Sequence, residues 1–168
     1  MHHDHVFMGQ ALKLAEEALW EGEFPVGCVV TLNDQILVQS RRQDSRGRRP
    51  SEIHHAEILA LRELETRLDR KERQLTTLYV TLEPCLMCYA AILLSGIGRL
   101  VWAYEDAMGG GTTCNLAGLP PLYAHSTLEI RPRFRREESL TLFRTYFRDP
   151  SQSYWQGSLL ASYTLLTE

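Results

Sequence analysis

A three-layer α/β/α domain, with helices on both faces of one central mixed five-stranded sheet, is the fold class this sequence predicts. Three observations predict it. Five short apolar runs suited to strands recur along the chain. Segments with helical apolar spacing separate most of them, which is the order of an α/β domain. The first two runs are joined by a tight turn instead, so at least one pair is antiparallel and the sheet is mixed.

The elements follow in order. Phe7, Ala11, Leu12, Leu14, Ala15, Ala18 and Leu19 recur at helical spacing and predict an amphipathic helix over about residues 5–20. Pro25-Val26-Gly27-Cys28-Val29-Val30 reads as a buried strand, and Asn33-Asp34 turns it into Ile36-Leu37-Val38 as a hairpin. Residues 56–64, extending to about 68, form a second helix. Leu78-Tyr79-Val80-Thr81 is the next strand, and its end delivers a helix that begins near Pro84. Arg99-Leu100-Val101-Trp102-Ala103 is a strand, and Gly109-Gly110-Gly111 a loop whose glycines signal backbone freedom rather than a phosphate cradle. A short strand at Leu128-Glu129-Ile130 and a helix from Glu137 to Phe147 complete the core. Asp149-Pro150-Ser151 breaks that helix. The chain therefore divides into a domain over 1–150 and an apolar, aromatic extension over 151–168, packed on the domain or on a dimer partner.

At 168 residues, with 44% apolar and 23% charged residues, the composition is that of one ordinary globular domain. No apolar run approaches membrane-spanning length. Four cysteines with no disulfide-scaffold pattern imply a reducing cytoplasm. A net charge of −3 argues mildly against nucleic acid as a partner, since such binding uses a basic surface.

The chemistry lies in His55-Ala56-Glu57 and Pro84-Cys85-Leu86-Met87-Cys88. Cys85 and Cys88, three apart, project from one side of a helix, and the positive end of that helix favours thiolates. His55 and Glu57, two apart at the start of another helix, share a site only if that helix meets it end-on. Two helix N-termini are thus expected to converge on one zinc ion held by His55, Cys85 and Cys88, with water as fourth ligand. One imidazole and two thiolates cancel the charge of Zn²⁺, so a nearby base is needed to activate water, and Glu57 is that base. Its pKa is expected above that of a solvated glutamate. Taken singly, C-x-x-C also fits a redox pair or a closed structural zinc site, whose fourth ligand would be Cys114 or His54. His54 is expected to diverge from His55, and Cys28 to be a small core residue.

These motifs, H-x-E followed by P-C-x-x-C, are the signature of zinc-dependent base deaminases. From about Val6 to Phe147 the chain resembles the cytidine/deoxycytidylate deaminase superfamily, most of all its bacterial tRNA-adenosine and purine (guanine) deaminase branch. Glu23-Phe24-Pro25-Val26-Gly27 is similar to the family's first-strand motif, and Leu82-Glu83-Pro84-Cys85-Leu86-Met87-Cys88, Ser95-Gly96-Ile97-Gly98-Arg99 and Glu105-Asp106-Ala107 continue the likeness. The resemblance implies the deaminase fold over 1–150, a zinc cofactor, a homodimer, and a base pocket touched by Phe24, Val26, Arg42 and Pro84. Two departures stand out. Where the tRNA enzymes carry a substrate-contacting asparagine, alignment from the hairpin gives Arg42, and counting back from His55 gives Asp44. The basic final helix of those enzymes is replaced by the segment with Tyr154, Trp155 and Leu159.

The sequence thus predicts a hydrolytic deaminase of an aminated nucleobase ring, of purine type or a related heterocycle, as free base, nucleoside or in tRNA, with a small-molecule nucleobase or nucleoside favoured over tRNA. The alternatives are a tRNA wobble-adenosine deaminase and a non-catalytic zinc-folded partner subunit, the latter disfavoured by Glu57. If RNA is bound, the Arg41–Arg49 loop is the expected phosphate contact, whereas Arg131, Arg133, Arg135 and Arg136 read as charge offset by glutamates.

Overall fold

The computed structural model describes residues 2–167, so Met1 and Glu168, the outer ends of the two predicted segments, lie outside it. One sheet has the strand order β2-β1-β3-β4-β5, formed by Gly27–Leu32 (β1), Gln35–Arg41 (β2), Thr77–Leu82 (β3), Arg99–Tyr104 (β4) and Glu129–Arg131 (β5). β1 is antiparallel to β2 and β3, whereas β3, β4 and β5 are parallel. The hairpin turn is made by Asn33 and Asp34, both at positive φ (50° and 60°), the backbone of the tight turns that match strand twist. β1 begins two residues later than its apolar run, because Pro25 has no N–H for a ladder.

Alternation along the strands builds the layers. Val29, Tyr79, Val101 and Ala103 face the first helix, His2–Trp20 (α1), through Phe7, Met8, Ala11 and Leu12. Cys28, Val30, Leu78, Val80, Leu100 and Trp102 face the other way, against Ala56–Glu65 (α2) and Leu86–Ser95 (α4). Between those two lies a single turn missed by the sequence reading, Arg70–Arg73 (α3), fixed by a capping box of Asp69 with Glu72. A second short helix, Pro121–Ala124 (α5), was also missed. Arg136–Arg148 (α6) contacts α1 and β4 and contributes Leu140, Phe143, Tyr146 and Phe147 to the larger core. α1 approaches β1 so closely that a Cβ on Gly27 would lie 2.1 Å from the carbonyl oxygen of Ala11. Its amino end is tied down by Asp4, which accepts hydrogen bonds from Tyr79 (2.7 Å), from both terminal nitrogens of Arg99 (2.8 and 3.0 Å) and from Arg131.

After Pro150 the chain turns back and forms Leu159–Leu166 (α7) against α6. Tyr154, Leu160, Ala161 and Thr164 are buried, and Tyr163 donates to Glu105 at 2.7 Å. The dimer argument that rests on an uncovered tail therefore loses its basis in these residues. Trp155, Leu159 and Leu166 remain exposed. No helix among the described residues is long and apolar enough to cross a membrane.

Candidate active site

The site forms where α2 and α4 begin. His55 is the N-cap of α2 in extended conformation (φ −68°, ψ 148°), and Glu57 is the second residue of that helix. Cys85 is likewise the N-cap of α4 (φ −63°, ψ 168°), and Cys88 lies in its first turn. An extended N-cap followed by a helix turns side chains two or three apart toward one point, which an uninterrupted helix would not do for His55 and Glu57. Pro84 therefore precedes the N-cap instead of opening the helix, and its carbonyl accepts the Gly111 N–H at 2.9 Å.

His55 Nδ1 lies 3.7 Å from Cys85 Sγ and 3.4 Å from Cys88 Sγ, and the three donor atoms lie within 4.8 Å of one another. Tetrahedral zinc bonds of about 2.3 Å to sulfur and 2.1 Å to nitrogen place such ligands about 3.6 Å apart, so the set fits zinc. His54 turns away to Asp44, 2.6 Å distant, and Cys114 is exposed outside the cluster. A hydrogen bond from Cys88 lowers the Cys85 thiol to about 4, against its burial. The same bond, then burial, pushes Cys88 up. Burial opposes the charged form of His55, but its bond to Cys85 and the charge of Glu57 outweigh that and raise its pKa. Glu57 is buried, and desolvation raises its carboxyl above the ordinary glutamate value.

A cavity of about 380 Å³ opens over these groups. Of the expected pocket residues, Phe24, Val26 and Arg42 line it and Pro84 does not. Phe24 is braced edge-on by Phe143, Tyr146, Phe147 and Tyr154. Arg42 leaves β2 with its N–H on Val26 O (2.8 Å), and its side chain is only 2% exposed. Asp44, at φ 55°, is exposed and absent from the lining, so Arg42 holds the pocket position of the two.

Of the loop arginines, Arg41 is half-buried and Arg42 buried, whereas Arg46, Arg48 and Arg49 are exposed. Arg41 pairs with Glu21 (2.6 Å) and Glu17 (3.6 Å), and Arg46 with Glu23 (3.1 Å). Arg48 and Arg49 are exposed and make no ion pair among the described residues. In the second cluster each arginine meets a carboxylate: Arg131 with Asp4, Arg133 and Arg136 with Glu105, and Arg135 with Glu138.

The glycine run serves close approach, not freedom. A Cβ on Gly110 would lie 2.6 Å from Glu83 Oε2, and one on Gly111 2.8 Å from the backbone of Leu86. Glu83 is buried there, accepting from the backbone N–H groups of Asp106 (3.3 Å) and Thr112 (3.2 Å). The loop so held brings Asp106 and Gly109 to the cavity. The sequence reading also missed Glu52, Tyr154, Trp155 and Leu160 as lining residues. The only trace of the last three in the sequence was their aromatic or apolar character, which fits packing equally well.

Comparison with known proteins agrees with this geometry. Residues 1–104 match the family model of the cytidine and deoxycytidylate deaminase zinc-binding region. The tRNA-specific adenosine deaminase of Bacillus subtilis strain 168 is 38% identical over 118 residues, covering 69% of this chain and 72% of that protein. Its counterpart in Rickettsia felis is 34% identical over 143 residues, covering 84% and 98%. A solved structure from a study of A-to-I editing by tRNA:A34 deaminases has a TM-score of 0.63 at 30% identity, covering 77% of this chain and 98% of its own. Guanine deaminase from Nitrosomonas europaea shares the fold, with a TM-score of 0.66 at 24% identity, covering 83% and 82%.

Proposed function

The chain belongs to the cytidine and deoxycytidylate deaminase zinc-binding family, and from that premise we propose that its cavity hydrolytically deaminates an aminated nucleobase ring, releasing ammonia and leaving the oxo form. The observation that carries this reading is a buried glutamate at the floor of a cavity beside a three-donor zinc cluster. His55 Nδ1, Cys85 and Cys88 would hold the zinc, which when bound would supply Lewis acidity that makes water easier to deprotonate. Glu57 is not a ligand. Its carboxylate takes a proton from the attacking water as the C–O bond forms, and gives it to the amine nitrogen as the C–N bond breaks. Burial suits Glu57 to both roles, because desolvation favours its protonated form over that of a solvated glutamate. Phe24 and Val26 wall the ring, and residues 1–150 form the deaminase domain that the 151–168 extension closes.

A small nucleobase or nucleoside is the preferred substrate. Arg41 and Arg42 are drawn into the fold and Arg46 pairs with Glu23, which leaves Arg48 and Arg49 as the exposed loop arginines without an ion pair among the described residues. The names of the relatives favour a second reading, adenosine within tRNA. A homodimer belongs to the proposal too, formed through the apolar side chains that α4 leaves exposed, Leu86 and Leu94. So does a reducing, cytoplasmic setting, consistent with four unbridged cysteines. Ammonia release by the zinc-loaded protein across bases, nucleosides and a tRNA anticodon arm is the test. Turnover of at least one of them that Glu57→Gln abolishes is the expected result, and release from none of them refutes the enzyme.

A further inference from the structure

The carboxyl-terminal segment runs past this cavity as a strap pinned at two places beside it. Tyr154 is buried, and its hydroxyl donates to Glu52 at 2.8 Å, on the loop that leads into α2. Further along, Tyr163 donates to Glu105 at 2.7 Å, and Thr164 Oγ1 lies 3.0 Å from the hydroxyl of Tyr104, the last residue of β4. Glu52 and Asp106, the residue after Glu105, both line the cavity, and so do Trp155 and Leu160 between the two pins. Trp155 is the unusual residue of the strap. Its φ is 57°, in the left-handed region that a bulky side chain enters at a cost. Burial does little to offset that cost, because the residue is 41% exposed and the ring it meets, Tyr154, lies edge-on at 5.4 Å. A strained backbone that aims an exposed indole into a cavity wall points to a task for that side chain.

The other aromatic rings of the lining narrow that task. Phe24 and Tyr154 are buried and packed against further rings, whereas Trp155 still has apolar surface left to cover. A planar heteroaromatic ring entering beside the indole would cover it by stacking, a contact open to every base because each has a π face. We propose that Trp155, carried to the cavity by this strap, is a substrate-contacting residue that stacks on the bound heteroaromatic ring. This rests on the deaminase reading and goes beyond it by giving the carboxyl-terminal segment a part in substrate binding. Stacking acts on the ring as strongly before the reaction as during it. It therefore lowers KM and leaves kcat to the proton transfer by Glu57.

Kinetics and fluorescence of the full-length zinc-loaded protein test this. Trp155→Asn removes the ring but substitutes a residue that accepts the left-handed backbone. KM for whichever base or nucleoside is turned over should rise about 10-fold, with kcat within about 2-fold. The thermal midpoint should stay within about 3 °C of wild type. Trp155→Phe keeps an aromatic face and should recover most of the KM. A role in packing alone gives the reverse, a lowered midpoint with KM unmoved, and overturns the inference. The second readout needs no turnover. Adenosine, cytidine and guanosine are titrated into protein carrying Glu57→Gln and Trp20→Phe, the latter removing an exposed indole outside the cavity lining. Saturable quenching of tryptophan emission by at least one of them is expected, and adding Trp155→Phe should abolish it. Quenching that is absent, or that survives this change, in a protein whose parent releases ammonia overturns the inference and leaves the deaminase standing. Ammonia from no base or nucleoside defeats both.

Discussion

Two buried carboxylates lie toward opposite ends of the central strands and are treated in opposite ways. Asp4, near the starts of β3 and β4, is surrounded by Arg99, Arg131 and Tyr79, and the Arg99 guanidinium first among them holds its carboxyl well below the usual range. Glu57, beyond the end of β3, pairs with no lysine or arginine among the described residues, and burial moves its carboxyl up. Asp4 is fixed in its charged form and works as a clamp on α1. Glu57 can change protonation state, which a clamp cannot do. Burial alone does not suit a carboxylate to proton transfer; burial without a cationic partner, beside a set of metal donors and a cavity, is what the proposed role of Glu57 rests on.

The largest effect should come from Glu57→Gln. Turnover falls by about 10³-fold or more while zinc content and unfolding midpoint stay close to wild type. Loss of zinc instead would make Glu57 a ligand and erase its contrast with Asp4. Cys88→Ser should reduce zinc from one per chain to a small fraction by metal analysis, and lower stability as well, because metal binding is part of the folding free energy. Retained stoichiometry would remove Cys88 from the ligand set.

Asp4→Asn is the mirror of the first substitution. It should cost about 3 kcal/mol in denaturant unfolding, since it leaves two arginines facing a neutral group, while kcat per folded molecule barely changes. The pH dependence has a definite sign. The folded-state pKa of Asp4 lies below its unfolded value, so its stabilisation is complete above the unfolded value and disappears as pH falls through the folded one. The wild-type advantage over Asp4→Asn should therefore be flat at neutral pH and shrink below about pH 4. An advantage that grew on acidification would break the comparison. The smallest effect is expected from joint Arg48→Ala and Arg49→Ala, a change within about 2-fold in kcat/KM on small substrates with unaltered salt dependence. Affinity for an anticodon arm that falls steeply with salt, and less so in this variant, would restore RNA as the substrate.

Much of the fold was legible because it is written in local periodicity. The alternation that puts Val29 on one face and Cys28 and Val30 on the other, and the helical spacing of Phe7, Ala11 and Ala15, need no information from elsewhere in the chain. The zinc cluster was legible for a related reason, since each half of it lies within three residues at a helix start. The single turns α3 and α5 escaped notice because a few residues carry too little periodic signal. The glycine run was misjudged because close approach is a property of what lies opposite, here Glu83 and Leu86.

The sequence by itself determined the sheet, the longer core helices and the three-donor cluster with Glu57 beside it, since these follow from spacing within short segments. Only the tertiary structure decided the pocket wall. It placed Tyr154 against Arg42, 112 positions apart, turned Arg41 and Arg46 onto glutamates, and folded the tail over its own domain. Those contacts arise from closing loops between distant segments, and periodicity carries no record of which distant side chain a residue will meet.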